Sequence, residues 1–202
     1  MRSVVGLFDD FGQAQQAVRE MLAMGIKQDD ISLVANDVAG RYKTSPDAGE
    51  AGKRLTGTGT GAVLGGAAGL LVGLTALVIP GIGPVIAAGQ LGAALATGLI
   101  STSVGAVAGG VLGALADLGM TQEDANYYVE AVRRGGTLVT VGADDQLTPR
   151  VEDLLRRHGA IDIKQRAAIW RQSGWKGFDP EAKPYTADEL SRERELIRKP
   201  HA

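Results

Sequence analysis

Apolar and polar residues follow one another along this chain in blocks that predict a mixed α and β structure. Short apolar runs of strand composition lie at Ser3–Phe8 and Ile31–Ala35. Between them, apolar residues recur at helical spacing from Phe11 to Leu22, after Asp10, a residue suited to cap a helix. The first 36 residues are therefore predicted to form a strand, a helix and a second strand.

The same order of elements returns in the second half of the chain. Thr121 and Asp124 form a capping box before a helix, and Thr137–Val141 follows as a third strand. Thr148-Pro149 begins another helix, and Ile161–Ile163 opens a fourth strand. Residues 1–36 and 121–165 together read β-α-β-β-α-β, with one extra helix between the second and third strands. This α+β order predicts a discontinuous ferredoxin-like domain.

Most of the segment between these halves carries no charged residue. Leu55–Ala116 contains no Asp, Glu, Lys, Arg or His, and small residues recur in it at a spacing of four. The row comprises Gly57, Gly61, Gly65, Gly69, Gly73, Gly89, Ala93, Thr97, Ser101, Gly105, Gly109 and Gly113. Residues four apart share a helix face, and small side chains there let another backbone approach closely. The pattern predicts a glycine-zipper α-helical hairpin over 57–119, turning at Pro80–Pro84, with residues 37–56 as a linker.

Three arrangements could bury such a hairpin. It could pack against other copies of itself, because a large exposed apolar surface marks an interface. It could enter a membrane, since a helix over 57–79 would measure about 35 Å against a bilayer core of about 30 Å. A helix over 84–118 would measure about 52 Å, too long for one perpendicular span. The third arrangement is a pair of helices in the core of one chain.

The C-terminal tail, residues 166–202, combines aromatic and charged residues. Trp170, Trp175, Phe178 and Tyr185 are candidate docking residues, followed by a short charged helix over Ala187–Lys199. We expect these aromatic side chains to cover an edge of the sheet or to contact a neighbouring subunit or partner.

Composition narrows the chemistry. The formal net charge of -2 argues against nucleic acid as a partner. The absence of cysteine excludes disulfides, thiol catalysis and Cys-ligated zinc, and two histidines exclude a His-rich metal site. The N-terminus lacks a long apolar signal core, so we expect a cytoplasmic protein, with attachment to the inner face of the membrane as the alternative.

No motif in the sequence predicts catalysis. Gly57–Ala62 fits a dinucleotide-binding pattern, but it does not directly follow a strand, and Leu77 stands where an acidic residue is needed. The paired aspartates precede helices or strands, where capping explains them, and His158 suits a helix C-terminus. No serine has a His or acidic partner at recognisable spacing. We therefore expect no enzyme activity, no cofactor and no metal, and no residue points to a particular small molecule.

Several segments resemble bacterial general stress and heat-induced stress proteins. The resemblance is carried by VVGLFDDFGQAQQAVREMLAMGIKQDDISLVA, LVIPGIGPVIAAG, LGMTQEDANYYVEAVRRGGTLVTVGADD and LLRRHGAIDI, and covers roughly residues 3–165. It implies a non-enzymatic, stress-associated role and supplies no catalytic residues. We therefore expect a stress protein that self-assembles through the glycine-zipper hairpin. A stress protein anchored in or on a membrane by the hairpin is the alternative, and a carrier for an apolar ligand stays open.

Overall fold

The computed structural model describes residues 2–40, 75–96 and 106–198, which form a mixed α and β structure. In chain order the strands and helices are β1 Arg2–Phe8, α1 Phe11–Ala23, β2 Ile31–Asn36, β3 Thr75–Ile79, β4 Gly83–Ala88, α2 Gly89–Ala96, α3 Ala106–Asp117, α4 Gln122–Arg133, β5 Thr137–Ala143, α5 Thr148–Arg157, α6 Ile163–Gln172 and α7 Ala187–Arg198. A short 3-10 turn, Gln28–Asp30, precedes β2.

The strands of the described ranges form one antiparallel sheet in the order β1-β5-β2-β4-β3. Strand β5 lies between β1 and β2 and pairs antiparallel to both, with Val139 opposite Gly6 on one side and Leu33 on the other. Strands β1 and β2 therefore run parallel to each other on either side of β5, and α1 connects them. The predicted first, second and third strands are confirmed as β1, β2 and β5.

Helices cover both faces of the sheet. On one face, α1 and α5 bury Val18, Met21 and Leu154 against side chains such as Phe8 and Val139. On the other face, α3 and α4 bury residues including Leu115, Val129 and Val132 against Val34, Val85 and Leu138. Alternate residues of each strand point to opposite faces, so strands covered on both sides are apolar at nearly every position. The burial of all six residues of β2 follows this rule.

The predicted helix starts form as the capping pattern indicates. The Asp10 side chain accepts a hydrogen bond from Gln13 N (3.0 Å), and Thr121 accepts one from Asp124 N (3.1 Å). At the start of α5, Pro149 occupies an early helical position, where its missing N–H is not needed.

The predicted helical hairpin is wrong over residues 75–88. Residues 75–79 and 84–88, expected to be helical, belong instead to the strands of the antiparallel β-hairpin β3–β4, which pairs with β2. Pro80 and Gly81 fill the two central positions of its turn: Ile82 N donates to Ile79 O (3.1 Å), and Gly81 has a φ of 75°. Pairing with β2 stabilises this β-branched segment as strand, which a spacing of small residues alone does not reveal.

Most of the glycine row lies outside the described residues, namely Gly57, Gly61, Gly65, Gly69, Gly73, Thr97, Ser101 and Gly105. Of the others, Ala93 is in α2, whereas Gly109 and Gly113 are in α3. Gly89 joins β4 to α2 with a φ of 75°, and a Cβ there would overlap the carbonyl oxygen of Ile31. A Cβ at Gly113 would meet nothing within 4 Å. Gly89 therefore serves a junction inside the chain, and Gly113 is not closely packed.

The predicted fourth strand, Ile161–Ile163, is also wrong. Ile161 N donates one hydrogen bond to Leu7 O (2.8 Å), as a strand beside β1 would. The chain then turns away because the Asp162 carboxylate caps α6, accepting from Lys164 N (2.9 Å) and Gln165 N (3.2 Å). The expected domain boundary at residue 165 consequently falls inside α6.

Candidate functional site: the sheet edges and the docked tail

Strand β3 is one edge of the sheet, and its outward backbone groups can be assigned. Asp37 N donates to Pro84 O (2.8 Å), so alternate residues of β4 from Pro84 onward face β2 and the others face β3. Thr75, Leu77 and Ile79 therefore bond to β4. The N–H and C=O groups of Ala76 and Val78 point away from the sheet, and no strand of the described residues pairs with them.

Among the described residues, this edge shows no charge, proline or bulge that would protect it. Natural edge strands are commonly guarded by charge, proline or a bulge, because a row of free backbone groups invites another strand. Residues 75–79 (TALVI) include no charge and no proline, and they pair with β4 without a bulge. The Val78 side chain is 78% exposed, the more exposed of the two large apolar side chains that face solvent in the described ranges. The geometry is suited to pairing with another uncharged strand.

Strand β1 is the opposite edge, and it is only partly paired. Since Leu7 O accepts from Ile161 N, Ser3, Val5 and Leu7 direct their backbone groups outward, while the alternate residues bond to β5. Within the described part of the chain, the outward groups of Ser3 and Val5 have no backbone partner.

A groove of about 520 Å³ runs along the unpaired part of β1. Ser3 and Val5 form its floor, and apolar parts of Met120, Tyr128, Leu155, Ile161 and Ile163 line its walls. Charged side chains at the groove are Asp124, Glu152, Asp162, Arg156 and Lys164. Burial, followed by the nearby Asp124 and Asp162 carboxylates, raises the pKa of Tyr128 to about 12, so its hydroxyl stays protonated and can donate.

A second cavity, of about 400 Å³, lies between α2 and α3, on the face of the sheet that these two helices cover. Ser32 and Thr140 contribute hydroxyls to it, and Ser32 Oγ already accepts from Leu91 N (3.1 Å). Asp29 and Asp117 also line it. No group of three or more acidic or histidine side chains in the described ranges could hold a metal ion.

The tail packs against its own chain. Trp170 is buried with Leu7, Tyr127 and Ala131, and the Trp175 ring lies 5.8 Å from the Trp170 ring. Phe178 packs at the edge of the cluster around α3 and α4. These contacts bring the sequence-predicted aromatic residues onto α4 and the neighbouring sheet, rather than leaving them in solvent.

Tyr185 belongs to a charged network centred on α4. Glu130 is fully buried, and its Oε1 accepts from Arg133 Nη1 (3.2 Å) and Arg134 Nε (2.6 Å). Arg134 also pairs with Glu193 of α7. The Arg133 guanidinium lies 4.5 Å from the Tyr185 ring centre, within cation–π range.

Arg133 also ties the tail to the β3–β4 turn. It donates to Gly81 O (2.9 Å) on the turn and to Lys183 O (3.0 Å) in the tail. The tail backbone runs close to the turn, because a Cβ on Gly81 would lie 2.9 Å from Asp179 O. Spacing in the sequence could not have revealed this network, because Glu130 reads as an ordinary polar residue of a helix.

Two clusters of polar side chains contain groups that could take part in catalysis, but their geometry indicates a role in stabilising the fold. Tyr127 and Arg171 both hydrogen-bond to Glu123 and lower the pKa of its carboxyl, yet none of the three lines a described cavity. His158 caps the C-terminal end of α5 and bonds to Glu20 (2.6 Å), an acid on α1 that the sequence did not single out. The hydrogen bond from His158 is the main cause of the lowered pKa of Glu20. Neither cluster juxtaposes a nucleophile, a base and a binding pocket.

Comparison with protein-family models, curated proteins and solved structures finds no match to this chain. The two edges of the sheet are the candidate functional surfaces of the described residues. Sequence reasoning missed Ala76, Val78, Ser3 and Val5 as site residues. The available signal was the β-branched, uncharged run before Pro80-Gly81, which is typical of a strand entering a tight turn.

Proposed function

We propose that this chain is a non-enzymatic, self-associating protein whose copies pair through the free edge of β3. The β3 edge supports this proposal. Among the described residues it carries no charge, pairs with β4 without a bulge and exposes the Val78 side chain to solvent. This contact differs from the glycine row, most of which lies outside the described residues; of its described members, Gly89 packs inside the chain.

The pairing has a simple two-fold geometry. With Leu77 on the symmetry axis, Ala76 of one copy faces Val78 of the second, and each pair exchanges two backbone hydrogen bonds. The exposed side chain of Ala76 in each copy contacts that of Val78 in the other, on one face of the joined sheet. Burying Val78 against Ala76 of the second copy adds apolar contact to the hydrogen bonds.

The finer fold and the biological setting belong to the same proposal. We take β1, α1, β2, β5 and α5 as a ferredoxin-like unit in which Ile161 is a remnant of the fourth strand and β3–β4 an addition beside β2. The quoted sequence resemblance supports a stress-associated role. In the described ranges, no helix has the length and apolar character needed to cross a bilayer.

Sedimentation of the full-length chain with two matched lysine substitutions tests the proposal. Val78→Lys places a charge on the β3 edge, whereas Ile169→Lys replaces the other highly exposed apolar side chain, on α6, at 52% exposure. We expect the wild type and Ile169→Lys to form the same dimer or larger assembly. Val78→Lys should shift the equilibrium at least tenfold toward smaller species while leaving thermal unfolding of the smaller species unchanged, because the side chain makes few contacts within one chain.

Two results would overturn the proposal. One is a wild-type chain that stays monomeric at high micromolar concentration. The other is an assembly that responds equally to both lysines or to neither, since that would remove the β3 edge as the contact.

A further inference from the structure

We infer that the groove along β1 binds an extended segment of a partner polypeptide, which adds to the sheet as a strand beside Ser3 and Val5. This site is on the opposite edge from β3 and is independent of self-association. The occupant is another protein in strand conformation, recognised by backbone, side-chain and charge complementarity.

The backbone on the groove floor matches a peptide and little else. Ser3 and Val5 each present one N–H donor and one C=O acceptor in a row, and none of these has a backbone partner within the described residues. Only another extended polypeptide offers acceptors and donors at the same repeat, which is the basis of recognition by strand addition.

The position is already occupied at one end by this chain. Ile161 N bonds to Leu7 O (2.8 Å), so one residue sits where a strand beside β1 belongs. Asp162 then caps α6 and removes the next residues from the edge. The adjacent positions at Val5 and Ser3 are thereby left open beside a residue that already fixes the spacing to β1.

The groove has room for side chains of the incoming strand. Its volume of about 520 Å³ greatly exceeds the roughly 30 Å³ occupied by one water molecule. Alternate side chains of a strand point to opposite faces. One set would contact Leu155, which lies with α1 and α5, and the other would meet Met120 and Tyr128 on the opposite side.

Charge at the groove favours a strand with basic flanks. Asp124, Glu152 and Asp162 outnumber Arg156 and Lys164, so the charged side chains that line the groove have a negative sum. Lysine or arginine beside an apolar, alternating centre is therefore the composition that we assign to the partner segment.

The experiment uses the full-length chain and a labelled peptide with the sequence of β5, TLVTVGA, flanked by one lysine at each end. This sequence is the natural antiparallel partner of β1 on its other side. Binding is measured by fluorescence anisotropy. Two control peptides carry backbone N-methyl groups on alternate residues, in one phase or the other. We expect the unmodified peptide to bind and only one N-methylated form to lose at least tenfold in affinity, because only one phase faces β1.

Two protein variants locate the binding edge. Ser3→Pro removes an outward N–H but no bond to β5, a position where an edge strand tolerates proline, and should weaken binding about tenfold. Val78→Lys changes the opposite edge and should leave peptide binding unchanged. Circular dichroism and thermal unfolding verify that Ser3→Pro keeps the fold.

Several outcomes would overturn the inference. They are no peptide binding, equal binding of both N-methylated forms, or loss of binding in Val78→Lys, which would assign the peptide to β3. Loss of the chain's own assembly in Ser3→Pro would assign the groove to a second copy instead. Failure of the β3 proposal alone would leave peptide binding intact.

Discussion

Two glycines of the same sequence row have opposite structural roles. Gly113 lies within α3, is exposed, and has nothing within 4 Å of an added Cβ. Gly113→Ala should therefore raise the free energy of unfolding by about 0.5–1 kcal/mol, because alanine loses less backbone entropy in a helix. Chemical denaturation measures the change. Lower stability, or a weaker assembly, would indicate that Gly113 packs closely against a partner.

Gly89→Ala is the contrasting substitution. Its positive φ alone costs a non-glycine residue about 1–3 kcal/mol. The new Cβ would also overlap the carbonyl of Ile31 at the junction between β4 and α2. The same denaturation experiment should show a clear loss of stability or of folded yield, and equal behaviour of the two alanine variants would contradict the assigned roles.

Glu130 provides another test at the scale of single residues. It is fully buried and its Oε1 accepts from both Arg133 and Arg134. Glu130→Gln keeps the size of the side chain but removes the charge that compensates two nearly buried guanidinium groups, so we expect a loss of about 3 kcal/mol. Glu123 is on the same helix as Glu130, but it is exposed and pairs with Arg171 of α6. Glu123→Gln is therefore the matched control and should change the free energy of unfolding little. Equal urea midpoints for the two variants would refute the network as a stabilising centre.

At the scale of elements, α7 depends on a capping box that its sequence, Thr186 to Glu189, encodes. Glu189 Oε2 accepts from Thr186 N (2.8 Å), and Glu189 N donates to Thr186 Oγ1 (3.3 Å). Thr186→Ala should weaken α7 by about 1 kcal/mol. Ser191→Ala, further along the same helix, removes only a bond to Ala187 O and is the control. Hydrogen exchange of the α7 amides reports the difference, and indistinguishable exchange in the two variants would rule out the cap.

The same cap predicts a dependence on pH. The hydrogen bond from the Thr186 backbone is the largest cause of the lowered pKa of Glu189. A lowered folded-state pKa means that the stabilisation is complete above the unfolded value, 4.5, and is lost as pH falls through the folded value. Protection of α7, corrected for intrinsic exchange, should therefore fall below about pH 4.5 in the wild type and respond less in Glu189→Gln.

Local chemistry explains which elements the sequence could predict. The caps at Asp10 and Thr121 depend on residues three apart, so the starts of α1 and α4 can be predicted from neighbouring positions. Short apolar runs likewise predict β1, β2 and β5, and Thr148-Pro149 predicts the start of α5. The β3–β4 hairpin depends instead on pairing with β2, whose partner residues Leu33 and Ala88 are far apart in sequence. That segment contains both small and β-branched residues, and only the distant strand decides that it is not a helix.

At the scale of the whole molecule, the candidate sites arise from strand order. Pattern and spacing predict that strands exist, but they do not reveal that β3 and β1 end up at the two edges of the sheet. Val78 reads as one more apolar residue until its side chain is found in solvent. The docked tail is similar, because Arg133 and Arg134 read as helix-ending cations, whereas in the fold they hold Tyr185 and Glu193.

The capping of α6 by Asp162 makes the width of the sheet depend on one side chain. Ile161, Asp162 and Ile163 alternate as a strand would, and the first of them already bonds to β1. The carboxylate ends this strand by offering the backbone a helix instead. A single replacement at residue 162 by a β-branched, non-capping residue would thus shift the local balance toward a sixth strand. The same change would also move Ile163, which is buried with Leu7 and Trp170, so the β1 edge and this core cluster are linked through residue 162.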